Sequence, residues 1–207
     1  MNYFVTAIGT DSGKTVVSAI LTEALQADYW KPVQTGKDNR DLDKVMHLLN
    51  NGHSFCFQES YLLTHPLSPH AAAKLDGVTI ELDCIVRPEN GDNPLVIEGA
   101  GGVLVPLNDK NFVIDLAQKF EAEIVLVVNH YLGSINHTLL TIEAIKKRNL
   151  KVKGIIFNGA PNPESEDIIL KHSGYRCLLR ILPEDTIDQE IVTRYAIRLF
   201  ENWDENE

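Results

Sequence analysis

Gly13-Lys14-Thr15 lies in the stretch FVTAIGTDSGKTVV, and these residue types in this order suit a nucleotide's phosphates. Lys14 can reach the β- and γ-phosphates, the Thr15 hydroxyl can ligate Mg²⁺, and Gly13 lets the backbone approach without a Cβ clash. The strict form of this signature needs a glycine at position 8, where the chain has Ile8; the nearest glycine, Gly9, comes one place late. A phosphate loop one residue longer, from Ala7 to Thr15, resolves the misfit and puts Thr10 and Asp11 in the extra space.

Two further segments carry chemistry. In YWKPVQTG, Lys31 ends a short apolar run, Pro32 fixes the local backbone, and Thr35 and Gly36 open a loop toward a substrate. Asp41 follows, placed to cap the next helix or to hold Mg²⁺; Asp43 is its rival as a metal ligand. Apolar Leu42, Val45, Leu48 and Leu49 fit a helix starting just after Asp41, which favours Asp41. In LVIEGAGGVLVPL, Glu98 ends a buried run and can complete a magnesium shell opposite Thr15. The glycines after it form a turn whose N–H groups can line an anion pocket.

Elements must bring these residues together. Val- and Ile-rich runs at 2–8, 29–33, 95–98, 124–129, 152–158 and 177–182 lack polar alternation, the pattern of strands buried on both faces. Amphipathic stretches at 15–26, 42–49, 113–120, 135–148, 164–172 and 188–203 alternate with them. Ile135, Leu139, Leu140, Ile142 and Ile145 mark an apolar stripe at helical spacing. The order predicts a doubly wound α/β fold: a mainly parallel sheet, helices on both faces, P-loop NTPase-like, in one domain over 1–207. Ligands of such sheets gather at the carboxyl ends of the strands, so Gly13-Lys14-Thr15 and Lys31 share one rim. The stretch 51–93, with Pro66, Pro69 and Pro88 and bounded by Pro94, reads as an inserted flap or a looser helical section.

The formal charge of −10 repels nucleic-acid phosphates and anionic lipid, so neither is expected as a partner. Cys56, Cys84 and Cys177 have no metal or redox spacing and read as thiols of a reducing cytoplasm. No apolar run is long enough to span a membrane, and no signal peptide is visible. The acidic tail, 201–207, is expected to fray.

Taken together, GTDSGKT, KPVQTG, SPH at 68–70, EGAGG, LGSINH at 132–137 and FNGAPNP from Phe157 resemble the dethiobiotin synthetases, across most of the chain. KPVQTG followed by EGAGG and LGSINH is the specific combination. The resemblance implies a homodimer that closes a ureido ring on 7,8-diaminononanoate (diaminopelargonate) with CO₂, ATP and Mg²⁺. One amine takes up CO₂ as a carbamate, the carbamate attacks the γ-phosphate, and the other amine displaces phosphate from the mixed anhydride. It implies Lys31 and Lys14 as catalytic residues. Thr15, Asp41 and Glu98 would hold magnesium. Thr10, Asp11, Ser12, Gly13, Lys14, Thr15 and Val16 would bind ATP, with Asn158 reading adenine and Pro183 walling the base. Thr35 would contact the carbamate. Gly133, Ser134, Ile135 and Asn136, opening a long helix, would offer N–H groups to a substrate carboxylate held mainly by the other subunit.

Two features depart from that family's pattern: the connection EALQADYW is short, and Ala7 replaces a frequent glycine, which would weaken nucleotide binding if that residue needed a left-handed backbone. A ParA- or MinD-like ATPase switch is the rival reading. It calls for a second lysine near the loop's start, as in KGG, where this chain has AIGTD. Synthetases coupled to an amidotransferase need a further domain that 207 residues do not accommodate.

Overall fold

In the computed structural model, residues 1–203 are described. Seven strands form one sheet in the order β4-β2-β6-β1-β7-β8-β9. They are β1 (Asn2–Ala7), β2 (Asp28–Trp30), β4 (Cys56–Phe57), β6 (Leu95–Gly102), β7 (Glu123–Asn129), β8 (Val152–Asn158) and β9 (Cys177–Ile181). Every pairing between neighbours is parallel.

Side chains alternate along each strand, and here both faces are apolar. On β1, Phe4 joins one core, while Tyr3, Val5 and Ala7 join the other. The second core packs under α1 (Lys14–Leu25), α2 (Asp41–Leu48) and α7 (Gln189–Glu201). The first lies under α3 (Pro69–Leu75), α4 (Ile114–Lys119), α5 (Ser134–Lys146) and α6 (Pro163–Ser173). The helix boundaries follow local chemistry. Asn162 caps α6 by accepting from the Ser165 N–H at 3.2 Å, with Pro163 beside it and Gly174 (φ 73°) closing the last turn. Asp188 caps α7 through the Ile191 N–H at 2.9 Å.

Several sequence expectations are corrected. The run at 29–33 is not one strand. Pro32 has no N–H for the ladder, and the chain leaves the main sheet after Trp30. It resumes as β3 (Val33–Thr35), which pairs with β5 (Tyr61–Leu63) in a separate two-stranded sheet. β6 does not stop at Glu98; it continues through the glycines to Gly102, with a register shift against β1 between Val5 and Ala7. The stretch 51–93 supplies an edge strand, a strand of the small sheet and α3, so it belongs to the frame rather than to an inserted flap. On α5, Ile135 and Leu140 are exposed, while Thr138 and Thr141 are buried beside Ile142 and Ile145. The tail does not fray from its start: Trp203 is buried against Tyr3, ring centroids 5.1 Å apart. Residues 204–207, the rest of that expectation, lie outside the described residues. Among the described residues no helix is long and apolar enough to cross a membrane.

Candidate active site

The carboxyl ends of β1, β2 and β6 open into a cleft of about 830 Å³ lined by Lys14, Thr15, Lys31, Thr35, Asp41 and Glu98, among others. Parallel order is what converges them, because each strand delivers its following residues to the same rim. β1 feeds the phosphate loop; β2 ends immediately before Lys31; β6 carries Glu98 beside Val5 of β1.

The loop geometry answers the spacing question. Asp11 takes a left-handed backbone (φ 55°) and Gly13 another (φ 92°), so the extra length is absorbed there. Ala7 stays in β1 and is not among the positive-φ residues, so its methyl carries no backbone penalty. Gly13 has a second reason to be glycine: a Cβ would sit 2.3 Å from Asn158 Nδ2. That amide donates to the Ser12 carbonyl at 2.9 Å, tying the end of β8 to the loop. Lys14 folds back, its ammonium donating to the Gly9 carbonyl at 2.9 Å. Burial pushes the Lys14 pKa down to about 8, with Lys31 adding to the effect and Glu98 opposing it.

Charge concentrates around Lys31. Its Nζ donates to Asp41 Oδ2 at 2.5 Å and to Glu98 Oε1 at 2.9 Å. Burial works against a charged amine, but the two carboxylates outweigh it and raise the Lys31 pKa. Asp41 moves the opposite way: burial favours its neutral form, yet Lys31 and Lys44 hold its pKa low. Glu98 is 1% exposed, which excludes a solvated glutamate at a plain turn. Its Oε1 also accepts from the Thr15 hydroxyl at 3.0 Å, and its Oε2 from the Tyr29 hydroxyl at 3.0 Å.

Asp41 is not the helix cap. Arg40 occupies that position without a side-chain cap bond, and Asp41 is the first residue of α2. Its own N–H donates to Gln34 Oε1 at 3.2 Å, which frees the carboxylate for Lys31. Asp43 points away, 64% exposed and 3.9 Å from Arg40, so the cleft favours Asp41 over its rival.

Thr15, Glu98 and Asp41 offer hard oxygen donors on one side of the cleft, the donor set that suits magnesium. Among the described residues no group of three or more His, Cys, Asp or Glu is arranged to hold a metal ion by itself. Magnesium needs none, since it takes one or two carboxylates and fills its octahedron with water and phosphate oxygens.

Of the remaining sequence candidates, Thr10, Asp11, Gly13, Val16 and Thr35 line the cleft. Ser12, Asn158 and Pro183 do not; Asn158 touches the loop from outside, and Pro183 is an exposed residue beyond β9. Gly133 (φ 105°) opens α5, with Ser134 buried and Ile135 and Asn136 exposed, and none of the four lines this cleft. His137 bonds to the Tyr131 hydroxyl at 2.8 Å and His70 to Ser68 at 3.2 Å; neither lines the cleft. Sequence reasoning assigned no role to Tyr29 or Gln34. Gln34 stands inside KPVQTG, a signal that was present; Tyr29 reads only as one more apolar strand residue.

The chain matches the family profile described as an AAA domain over residues 1–190. It is 60% identical to the ATP-dependent dethiobiotin synthetase of Cytophaga hutchinsonii, covering 97% of this chain and 98% of that one. To the ATP-dependent dethiobiotin synthetase of Christiangramia forsetii it is 50% identical, covering 94% of each. Among solved structures it resembles the septum site-determining protein MinD of Pyrococcus horikoshii complexed with Mg-ADP (TM-score 0.59, 14% identity, 99% of this chain and 97% of that one). A plasmid partition protein of Borrelia burgdorferi bound to AMPPNP is similar in the same degree (TM-score 0.58, 10% identity, 97% and 96% covered). Those structural likenesses carry the P-loop fold alone, whereas the two sequence relatives named above are dethiobiotin synthetases.

Proposed function

Because this chain belongs to the dethiobiotin synthetase family, we propose which of its residues perform that family's reaction. The enzyme is an ATP-dependent ligase of biotin biosynthesis that closes the ureido ring of dethiobiotin. Its small-molecule substrates are 7,8-diaminononanoate, CO₂ and ATP.

One amine of the diamine adds to CO₂, losing a proton to give a carbamate. A carbamate oxygen attacks the γ-phosphorus and ADP leaves, forming a carbamic-phosphoric anhydride. The second amine attacks the carbonyl carbon, phosphate departs, and the ring closes with loss of a proton. Both partners of the phosphoryl step are anions, so charge has to be screened where they meet.

Lys31 meets the carbamate end with Thr35, and Lys14 turns from Gly9 to the β- and γ-phosphates. One observation carries this reading: a buried, charged Lys31 held between Asp41 and Glu98 at the mouth of a phosphate-loop cleft. Thr10, Asp11, Ser12, Gly13, Thr15 and Val16 wrap the phosphates, while Asn158 and Pro183 contact adenine. Thr15, Asp41 and Glu98 would hold Mg²⁺, which would supply positive charge to the phosphate oxygens. The chain acts as a single domain over 1–207, supported by a sheet that collects strands from residue 2 to residue 181 and by α7 packing back on α1.

A homodimer completes the site. Gly133, Ser134, Ile135 and Asn136 lie away from their own cleft, and apolar Tyr131, Leu132, Ile135 and Leu140 are exposed around them. The N–H groups of Gly133, Ile135 and Asn136 are offered to the substrate carboxylate of the other subunit, while the Ser134 N–H is taken by the Tyr131 carbonyl at 2.9 Å. Three free cysteines support a cytoplasmic location.

Lys31→Ala tests the central role. ATP affinity by calorimetry should stay within about threefold while turnover falls about 10²–10³-fold, the usual loss for one transition-state charge donor. Unimpaired turnover would return Lys31 to a structural role.

A further inference from the structure

Glu98 is a carboxylate at 1% exposure, and each oxygen has different company. Oε1 accepts from the Thr15 hydroxyl at 3.0 Å and from Lys31 Nζ at 2.9 Å. Among the described residues Oε2 accepts only from the Tyr29 hydroxyl, at 3.0 Å. Thr15 and Lys31 both line the cleft, and in the reaction each has another anion or metal to serve. Tyr29 does not line it; the ring is wholly buried in the core beneath α1 and α2, on β2 opposite Val96. Its hydroxyl therefore cannot follow the substrates. When Thr15 and Lys31 turn to their ligands, Tyr29 is the one donor left to Glu98 among the described residues.

We infer that Tyr29 is a positioning residue: its hydroxyl anchors Glu98 by Oε2 and so keeps Oε1 aimed into the cleft as a metal ligand. A buried carboxylate oxygen left without a donor is costly, and the carboxylate would rotate to share the remaining donors. That rotation would turn Oε1 away from Thr15 and the cleft. Partners behind a metal ligand commonly set metal affinity in this way, by 10–100-fold. β2 gives the device its rigidity, because Tyr29 is hydrogen-bonded into the main sheet between β4 and β6. The inference rests on the proposed magnesium role of Glu98 and goes beyond it by naming what fixes that side chain.

The test is calorimetry of ADP binding, with Mg²⁺ and with a chelator, on the wild-type chain and on Tyr29→Phe. The quantity read is the gain in ADP affinity that Mg²⁺ confers. Tyr29→Phe should cut that gain about 10-fold while metal-free ADP binding stays unchanged. A variant that keeps the full gain, even with a lowered melting temperature, shows Tyr29 to be packing only and overturns the inference. A wild-type chain showing no gain at all defeats the metal-site reading, and the inference falls with it. Should Tyr29→Phe not fold, 3-fluorotyrosine at position 29 keeps both ring and hydroxyl. Its ¹⁹F resonance should then move on adding Mg·ADP but not on adding metal-free ADP. A resonance indifferent to Mg·ADP overturns the inference equally.

Discussion

At the scale of single residues, two lysines in one cleft are tuned in opposite directions. Lys31 has two carboxylates in contact, which hold its pKa up, so it stays charged through the whole working range. Among the described residues Lys14 hydrogen-bonds only to a carbonyl, and burial brings its pKa down to about 8. The sign follows directly: in the free enzyme Lys14 is cationic below about 8 and loses its proton above. Neutral Lys14 cannot draw in a triphosphate, so kcat/KM for ATP should be level below about pH 8 and fall above it. A profile measured at saturating diamine that stays level to pH 10 would contradict this. Once phosphates are bound, their charge raises the Lys14 pKa again, and kcat should be the less sensitive of the two.

Elements set how far the sequence could be read. Long buried strands and amphipathic helices were legible because their apolar patterns exceed any local competition, and β1, β7 and β8 appear where expected. The short strands were not. Pro32 divides an apolar run between two sheets, and which sheet each half joins depends on partners far along the chain. Likewise the EGAGG glycines read as a turn, yet β6 runs on through them because β1 pairs Ala7 with Gly102 beyond the register shift. In the site, Lys14 was legible from the phosphate-loop motif, and Lys31 and Glu98 as charged residues after apolar runs, although β6 continues past Glu98. Tyr29 was not, since its role exists only through Glu98, a residue 69 positions away. Two glycines test the element contacts. Gly13→Ala places a Cβ 2.3 Å from Asn158 Nδ2 at a φ of +92°, so nucleotide binding should weaken at least about 10-fold by calorimetry and the unfolding free energy should fall by about 1–3 kcal/mol. Gly154→Ala should touch stability alone. Its Cβ meets Leu178 Cγ at 2.7 Å and the Arg176 carbonyl at 2.8 Å between β8 and β9, far from the cleft. It should cost about 1–3 kcal/mol of unfolding free energy with an unchanged KM for ATP. Equal stability to the wild type would show that β9 yields freely there.

For the whole molecule, the proposed dimer accounts for residues that a lone chain leaves idle. Leu132 is fully exposed at the start of α5, with Tyr131, Ile135 and Leu140 around it. If one subunit's α5 serves the other's cleft, two inactive variants should complement each other. Lys31→Ala mixed with Gly133→Val, refolded together, restores one intact site per heterodimer and roughly a quarter of wild-type activity. Mixtures as inactive as the separate variants would place the whole site within one chain. The most direct measurement concerns the reaction itself. Purified protein receives Mg·ATP, bicarbonate and 7,8-diaminononanoate, ADP release is followed, and the product is weighed by mass spectrometry. ADP release should require the diamine, and the product should be heavier than the diamine by one CO₂ less one water, the mass of the closed ureido ring. ATP turnover indifferent to the diamine, with no product of that mass, would contradict the account.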